Sequence, residues 1–126
     1  MSEPQKEKLE IKGDERGDFI EIFKVPGKGQ TSYSTTKPGV TRGNHYHTRK
    51  EEFFCVIKGK AKIKIRNINT NEVKEFDVSG ENPETVKIPF NWTHNITNTG
   101  DKEMILLIWI SEVFNPDDPD TFYEEV

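Results

Sequence analysis

The feature of this sequence that most constrains its fold is a strict alternation of basic and apolar residues over residues 60–66. Ala61, Ile63 and Ile65 share one side of the alternation, and the basic residues between them share the other. A period of two predicts a half-buried β-strand, because successive side chains in a strand point to opposite faces of the sheet. Gly59 before this stretch and the asparagine-rich residues 67–71 after it predict turns.

The rest of the chain repeats this pattern of short strands between turns. Further strands are predicted at residues 9–11, 19–25, 30–36, 53–57, 73–78 and 104–110. The chain has 12 Ile, 8 Val, 11 Thr and 8 Phe against one Ala and three Leu, a balance that favours strands over helices. We therefore expect an all-β sandwich or barrel. The seven apolar residues 104–110 predict a strand covered on both faces, with Trp109 in the core.

Length and charge exclude several classes of protein. A chain of 126 residues suits a single domain, here residues 1–126. The charged residues 1–8 are predicted to form a flexible N-terminus, and the acidic residues 111–126 an irregular C-terminal wrap with a short helical turn. A net charge of −4 argues against nucleic-acid or anionic-membrane partners. With no secretion signal or membrane-length apolar stretch, we expect a cytoplasmic protein.

The three histidines predict a metal site. His45 and His47 are two residues apart, so a strand would point both rings to one side. Glu52 follows after a charged turn, where the next strand could return its carboxylate to the two rings. His94 lies in a later turn-and-strand segment. Three imidazoles and a carboxylate suit a divalent transition metal with open positions, and Glu51 is the rival carboxylate ligand.

These residues resemble the two motifs of the cupin superfamily. Residues 39–59 match the first motif at every fixed position, namely Gly39, His45, His47, Glu52 and Gly59. Residues 89–98 resemble the second motif, with Asn91 where the family usually has glycine. Because asparagine tolerates left-handed backbone, we expect the turn to survive. The resemblance implies a double-stranded β-helix, or jelly roll, with the metal ligands His45, His47, Glu52 and His94.

Two narrower resemblances concern the substrate. Residues 14–24 and 32–47 resemble segments of RmlC-type sugar-nucleotide epimerases, which implies that Arg16 and Arg42 bind a nucleotide diphosphate and that His45 occupies the position of the base. Residues 11–126 are most similar to the C-terminal zinc cupin of CapF-type capsular polysaccharide enzymes. That resemblance implies C3 epimerisation of a UDP-2-acetamido-2,6-dideoxy-4-hexulose, with reduction by a short-chain reductase as the next step.

The resemblances imply a set of partners and leave the catalytic groups open. We expect zinc at the metal site, no NAD(P) on this chain, a possible separate reductase, and a homodimer formed through strands within residues 9–22. If all three histidines bind metal, the base is another group, and His45 can serve only in a metal-free form. Tyr33 is a candidate acid, with Tyr46 and Tyr123 as alternatives.

Other functions remain compatible with the same ligands. A sugar-nucleotide 3,4-ketoisomerase also begins with proton removal at C3. A cupin dioxygenase would need no phosphate-binding arginines, and a non-catalytic sugar-binding cupin would need no base. Arg16 and Arg42 favour the first two classes of enzyme, epimerase and ketoisomerase.

Overall fold

A computed structural model describes residues 3–126, which form eleven strands and no helix. The strands are β1 Lys12–Asp14, β2 Gly17–Val25, β3 Gly29–Thr36, β4 Thr41–Tyr46, β5 Glu52–Lys58, β6 Lys60–Asn67, β7 Val73–Ser79, β8 Thr85–Ile88, β9 Trp92–Asn98, β10 Met104–Ile110 and β11 Phe122–Tyr123. Within residues 3–126 there is no helix that could serve as a membrane span.

The strands build two antiparallel sheets. One has six strands in the order β1-β2-β3-β10-β5-β8, and the other has five in the order β11-β4-β9-β6-β7. Strands distant in sequence are neighbours in both sheets, such as β3 beside β10 and β4 beside β9. This is the jelly-roll arrangement, and it confirms the all-β prediction.

The core lies between the two sheets and draws on both. Alternate residues of β6 are buried, with Ala61, Ile63 and Ile65 at most 4% exposed, as the alternation predicted. Lys62 and Lys64, on the outer face of the same strand, reach Glu75 on β7. The core residues are Phe54, Val56, Ala61, Ile63, Ile65, Val78, Ile88, Ile96, Met104 and Leu106.

The outer face of the six-stranded sheet is unexpectedly apolar. The bounds predicted for β10 are correct, but Trp109 is 36% exposed and does not lie in the core. It belongs to a row across the sheet in which Phe23 pairs with Thr31, Thr31 with Trp109, and Trp109 with Phe53. The apolar character of both faces of β10 therefore has two causes. One face fills the core, and the other forms part of an exposed patch.

The two ends of the chain differ from expectation. Residues 9–11 are not in a strand, and the first strand begins at Lys12, so the edge of the six-stranded sheet is shorter than predicted. The predicted flexible N-terminus includes residues 1 and 2, which lie outside the described residues. The C-terminal segment contains one hydrogen-bonded turn, in which the N–H of Asp118 donates to the Asn115 carbonyl, but no helix. It ends instead in the short strand β11, which pairs with β4 and was not predicted.

Candidate metal centre and substrate cavity

A cavity of about 580 Å³ opens between the two sheets and contains the predicted ligands. His45 comes from β4, His47 follows that strand, Glu52 begins β5, and His94 lies on β9. One potential ligand atom from each of these four residues lies within 4.8 Å of the others. Glu51 does not take part. It is near Lys87 on the surface, with 3.6 Å between the Glu51 carboxylate and the Lys87 ammonium.

A β-bulge in β4 places Arg42 and His45 in the same cavity. Residues three apart on a regular strand point to opposite faces, yet both line this cavity. The register with β9 shifts between Gly43 and His45, and Asn44 has a φ of 60°. Gly43 has a φ of 103°, and a Cβ there would lie 2.8 Å from the carbonyl oxygen of His94. The Gly43-Asn44 pair therefore turns the strand so that the arginine and the histidine face one ligand.

The main chain fixes the ring orientation of two ligands. Nδ1 of His47 lies 2.6 Å from the carbonyl oxygen of Asp120, and Nδ1 of His94 lies 3.1 Å from that of Trp92. A carbonyl oxygen can only accept, so both rings donate from Nδ1. Each ring consequently presents Nε2 to the cluster, as metal-binding histidines commonly do. The second-motif turn that precedes His94 also forms as expected, with Asn91 at a φ of 64°.

Burial and the contacts among the four ligands shift the pKa values of Glu52, His47 and His45. Burial alone would raise the pKa of Glu52, but the hydrogen bond from His47 and the nearby His94 hold it well below its ordinary value. Burial opposes the charge on His47, yet the Glu52 hydrogen bond outweighs it and raises the pKa of His47. Burial, with the neighbouring His94, lowers the pKa of His45 to about 4. His45 is therefore a neutral imidazole at neutral pH.

One unsatisfied atom indicates that the cluster fits a cation. Nε2 of His94 is buried, lies 3.1 Å from Glu52 Oε1, and has no hydrogen-bond partner. Buried polar atoms without a partner are rare because they lose their hydration without compensation. A metal ion among the four ligand atoms would satisfy this lone pair, and the mixture of imidazoles and a carboxylate suits zinc and its neighbours in the periodic table.

The two predicted phosphate-binding arginines line the same cavity. Arg42 donates from Nε to Thr36 Oγ1 at 3.0 Å and from Nη2 to the Thr35 carbonyl at 2.9 Å, which orients its guanidinium. Burial, followed by the charge of Arg16, lowers the pKa of Arg42. Arg16 donates to Asp14 at 2.7 Å. Both arginines therefore lie on one side of the cavity, with Arg42 held by β3 and Arg16 by its ion pair with Asp14.

Of the three tyrosines, only Tyr123 lines the cavity. Tyr33 pairs with Leu107 and Ile20 on the outer face of the six-stranded sheet, so the structure does not bring it to the metal cluster. Tyr46 stacks on Phe122, with 5.3 Å between the ring centroids. Tyr123 lies edge-on to His45 at 6.2 Å and is 83% exposed. Of the three candidate acids, Tyr123 is therefore the one whose ring lies beside the metal cluster.

Two further residues, Lys50 in the cavity wall and Asp120 behind the loop after His47, were not anticipated from the sequence. Lys50 is 2% exposed, and its ammonium donates to the Pro119 carbonyl at 2.8 Å and lies over the Phe114 ring. Asp120 is also buried and contacts the loop before Glu52. Both depend on the C-terminal segment folding back on the loop that joins β4 to β5. No local pattern links residues about 70 positions apart.

The fold and the site define the chain as a cupin. The profile of the polysaccharide biosynthesis C-terminal domain matches residues 12–122, and the chain belongs to that family.

Curated relatives come from bacteria and archaea. The chain is 48% identical over 109 residues to the UDP-2-acetamido-2,6-beta-L-arabino-hexul-4-ose reductase of Pseudomonas aeruginosa, covering 86% of this chain and 29% of the relative. It is 25% identical over 124 residues to a probable low-salt glycan biosynthesis epimerase of Haloferax volcanii, covering 89% and 80%. The chain therefore spans less than a third of the length of the Pseudomonas relative.

Solved structures give the same assignment. The capsular polysaccharide assembling protein CapF from Staphylococcus aureus superimposes with a TM-score of 0.91 at 45% identity, covering 96% of this chain and 33% of that one. Oxalate decarboxylase from Bacillus subtilis matches with a TM-score of 0.70 at 24% identity, covering 93% and 29%. The second likeness shows the cupin fold alone.

Proposed function

We propose that this cupin epimerises C3 of a nucleotide-linked 4-keto sugar, a UDP-2-acetamido-2,6-dideoxy-4-hexulose, for surface polysaccharide synthesis. The observation that carries the proposal is that one cavity contains both a four-ligand metal cluster and two arginines. An uncharged small molecule would need no pair of guanidinium groups. The relatives suggest the sugar class, a hexul-4-ose linked to UDP, and the reaction class, epimerisation in glycan synthesis.

Arg42 and Arg16 bind the diphosphate in this proposal. Arg42 is held by two hydrogen bonds to β3, so little side-chain entropy is lost when a phosphate oxygen binds its remaining N–H groups. Arg16 adds a second charge, although it must share its guanidinium with Asp14. The diphosphate thereby holds the sugar at the histidine end of the cavity.

The sugar reacts beside the cluster. We assign zinc to His45, His47, Glu52 and His94, because it suits these ligands and adds no redox chemistry to an epimerisation. A divalent metal held by these residues would supply positive charge to stabilise an enolate, a contribution typically worth about 3–4 kcal/mol of barrier. A general base takes the C3 proton, the electron pair of the C3–H bond forms the enolate, and a general acid delivers a proton to C3 on the opposite face. No oxidant, reductant or nicotinamide is required.

Tyr123 is the proposed proton donor for one of the two faces. Its phenol lies on the cavity wall beside His45 and is exposed, so it can reach a bound sugar. Because His45, His47 and His94 belong to the cluster, the proton-transfer groups must come from the remaining side chains. Reduction at C4, the next step in this proposal, is assigned to a reductase and not to the cavity of this cupin.

Solvent exchange tests the reaction. In D₂O, the proposed UDP-linked substrate should gain deuterium at C3, observed by NMR, without added nicotinamide. Tyr123→Phe should slow exchange by about 10²- to 10⁴-fold, the usual value of a general acid or base. Tyr33→Phe, on the outer face, is the matched control and should exchange at the wild-type rate.

Each other outcome of the exchange experiment has a definite meaning. Slower exchange after metal removal supports a metal-stabilised enolate, whereas unchanged exchange supports His45 as a free base. Deuterium at C3 with movement of the keto group from C4 to C3 would identify a ketoisomerase. No incorporation from any nucleotide-linked 4-keto sugar would refute the epimerase proposal.

We also propose that the chain forms a homodimer through the outer face of the six-stranded sheet. Phe23 is 64% exposed and Val25 44% exposed on β2, and Trp109 lies against Phe53 with 6.0 Å between their ring centroids. A contiguous exposed apolar patch on a sheet face usually marks an interface. A second copy is the simplest occupant, because a two-fold axis would place this row of residues against itself. The interface would include β2, which overlaps the expected residues 9–22 only in part, because Phe23 and Val25 lie just beyond them.

A further inference from the structure

Asp120 occupies an unusual position for a surface-loop acid. It lies in the segment between β10 and β11, is 4% exposed, and has a φ of 48°, in the left-handed region that few residues other than glycine adopt readily. Aspartate tolerates this conformation better than most residues because its side chain can form local hydrogen bonds. A buried acid in a strained conformation persists only where its surroundings stabilise it.

The carboxylate of Asp120 caps the loop between two of the metal ligands. Oδ1 accepts from the main-chain N–H of Thr48 at 3.0 Å and from the Thr48 hydroxyl. Oδ2 accepts from the N–H of Arg49 at 3.0 Å and of Lys50 at 3.2 Å. These residues are the connection from His47 to Glu52, so the carboxylate fixes the path along which the chain passes from one ligand to the next.

The main-chain carbonyl of the same residue contacts one ligand directly. His47 donates from Nδ1 to the Asp120 carbonyl at 2.6 Å, and its Nε2 faces Glu52 at 2.7 Å. Without that acceptor, the ring could place its proton on either nitrogen. One residue thus sets the ring orientation of His47 and, through the loop, the position of Glu52.

We propose that Asp120 is a positioning residue of the metal centre, and that the C-terminal segment thereby helps to hold the metal ligands in place. The inference rests on the proposed metal site. Hydrogen-bond partners behind metal ligands typically contribute 10- to 100-fold in metal affinity because they fix the ligands before the ion binds. Asp120 acts on two ligands at once, through two different groups.

Metal affinity in two variants tests the proposal. Asp120→Ala should weaken Zn²⁺ binding by about 10- to 100-fold in a chelator competition. It should also alter the visible spectrum of the Co²⁺-loaded protein, which reports ligand geometry. Asp120→Asn keeps one carboxamide oxygen and tolerates the left-handed backbone, so its affinity should lie between wild type and the alanine variant. Asp118→Asn is the matched control, because Asp118 is an exposed acid of the same segment that pairs only with Arg49. It should bind Zn²⁺ within about twofold of wild type.

The outcomes separate this inference from the metal site itself. If the wild type binds no Zn²⁺ or Co²⁺, the proposed centre is wrong and Asp120 has nothing to position. If the wild type binds and a folded Asp120→Ala variant matches its affinity and Co²⁺ spectrum, the positioning role alone is refuted. Should the alanine variant not fold, wild-type affinity and spectrum in Asp120→Asn would refute the role just as directly.

Discussion

Metal binding to this protein should release about one proton, and His47 is its source. Both nitrogens of His47 face acceptors, the Asp120 carbonyl at Nδ1 and the Glu52 carboxylate at Nε2. Only an imidazolium can donate to both, which agrees with the raised pKa of this ring. A metal ion must take the Nε2 lone pair, so the proton on Nε2 has to leave.

The number of protons follows from the three other ligands. The pKa of His45 is lowered to about 4, so at pH 6 this ring is already neutral. The pKa of Glu52 is held low, so it is already ionised. His94 donates from Nδ1 to the Trp92 carbonyl, and its buried Nε2 lies 3.1 Å from Glu52 Oε1 without a hydrogen bond. Burial opposes the charge on His47, but the Glu52 hydrogen bond outweighs it and raises the pKa of this ring, so His47 is the ligand expected to lose a proton at pH 6.

The metal affinity should rise with pH until the pKa of His47 is passed. Below the raised pKa of His47, protons compete with the metal, so log affinity should rise by about one unit per pH unit. Above that pKa the slope should fall to near zero. The stability that the raised pKa gives the metal-free protein behaves in the opposite way, because it is present below the unfolded-state pKa and is lost as pH rises through the folded-state value.

Calorimetric titration with Zn²⁺ in two buffers of different ionisation enthalpy measures the released protons. A value near one at pH 6 that declines at higher pH supports the reasoning. A value near zero at pH 6 would show that His47 is neutral and that its two hydrogen bonds are misassigned. A value of two or more would show that His45 or His94 also carries a proton in the metal-free protein.

Two further predictions concern the substrate and the assembly. Arg42→Ala should weaken UDP binding by about 10- to 100-fold, the value of a charge-assisted hydrogen bond, and leave zinc content unchanged. Lys62→Ala, on the outer face of β6, is the control. Equal UDP affinity in wild type and Arg42→Ala would show that Arg42 does not bind the diphosphate. Trp109→Lys should halve the mass measured by light scattering, whereas Phe76→Lys, equally exposed on the other sheet, should not. A wild type that is monomeric at micromolar concentration would refute the dimer.

The sequence predicted the parts of this protein that depend on local patterns. The alternation in β6 and the apolar run in β10 located these strands because a side-chain period of two is visible in any strand. The cupin spacing predicted which side chains come together, because His45 on β4, His47 just after it and Glu52 at the start of β5 meet across the two sheets. The prediction at Asn91 succeeded for a local reason too, since left-handed backbone tolerance is a property of the residue.

What the sequence did not predict depends on contacts between distant residues. Trp109 was placed in the core because an apolar residue in an apolar strand gives no sign of whether its own chain or a partner covers it. Tyr33 and Tyr123 could not be ranked because the choice depends on which face of β3 meets the cavity and on the unpredicted strand β11. Asp120 carries no motif, and its role appears only when the C-terminal segment folds over the loop after His47.

The bulge in β4 links the two halves of the proposed function. A diphosphate-binding group and a metal ligand must face the same molecule, yet residues 42 and 45 of a regular strand would face opposite sides. The bulge at Gly43 and Asn44 shifts the register, so that Arg42 and His45 face the same side. It requires a positive φ at Asn44, which is not a glycine. The close approach of Gly43 to the His94 carbonyl ties that shift to β9, which holds another ligand. In the proposed function, the short segment from Arg42 to His47 can therefore contact both the diphosphate and the sugar of one nucleotide sugar. It can do so because the strand has a bulge between the two residues.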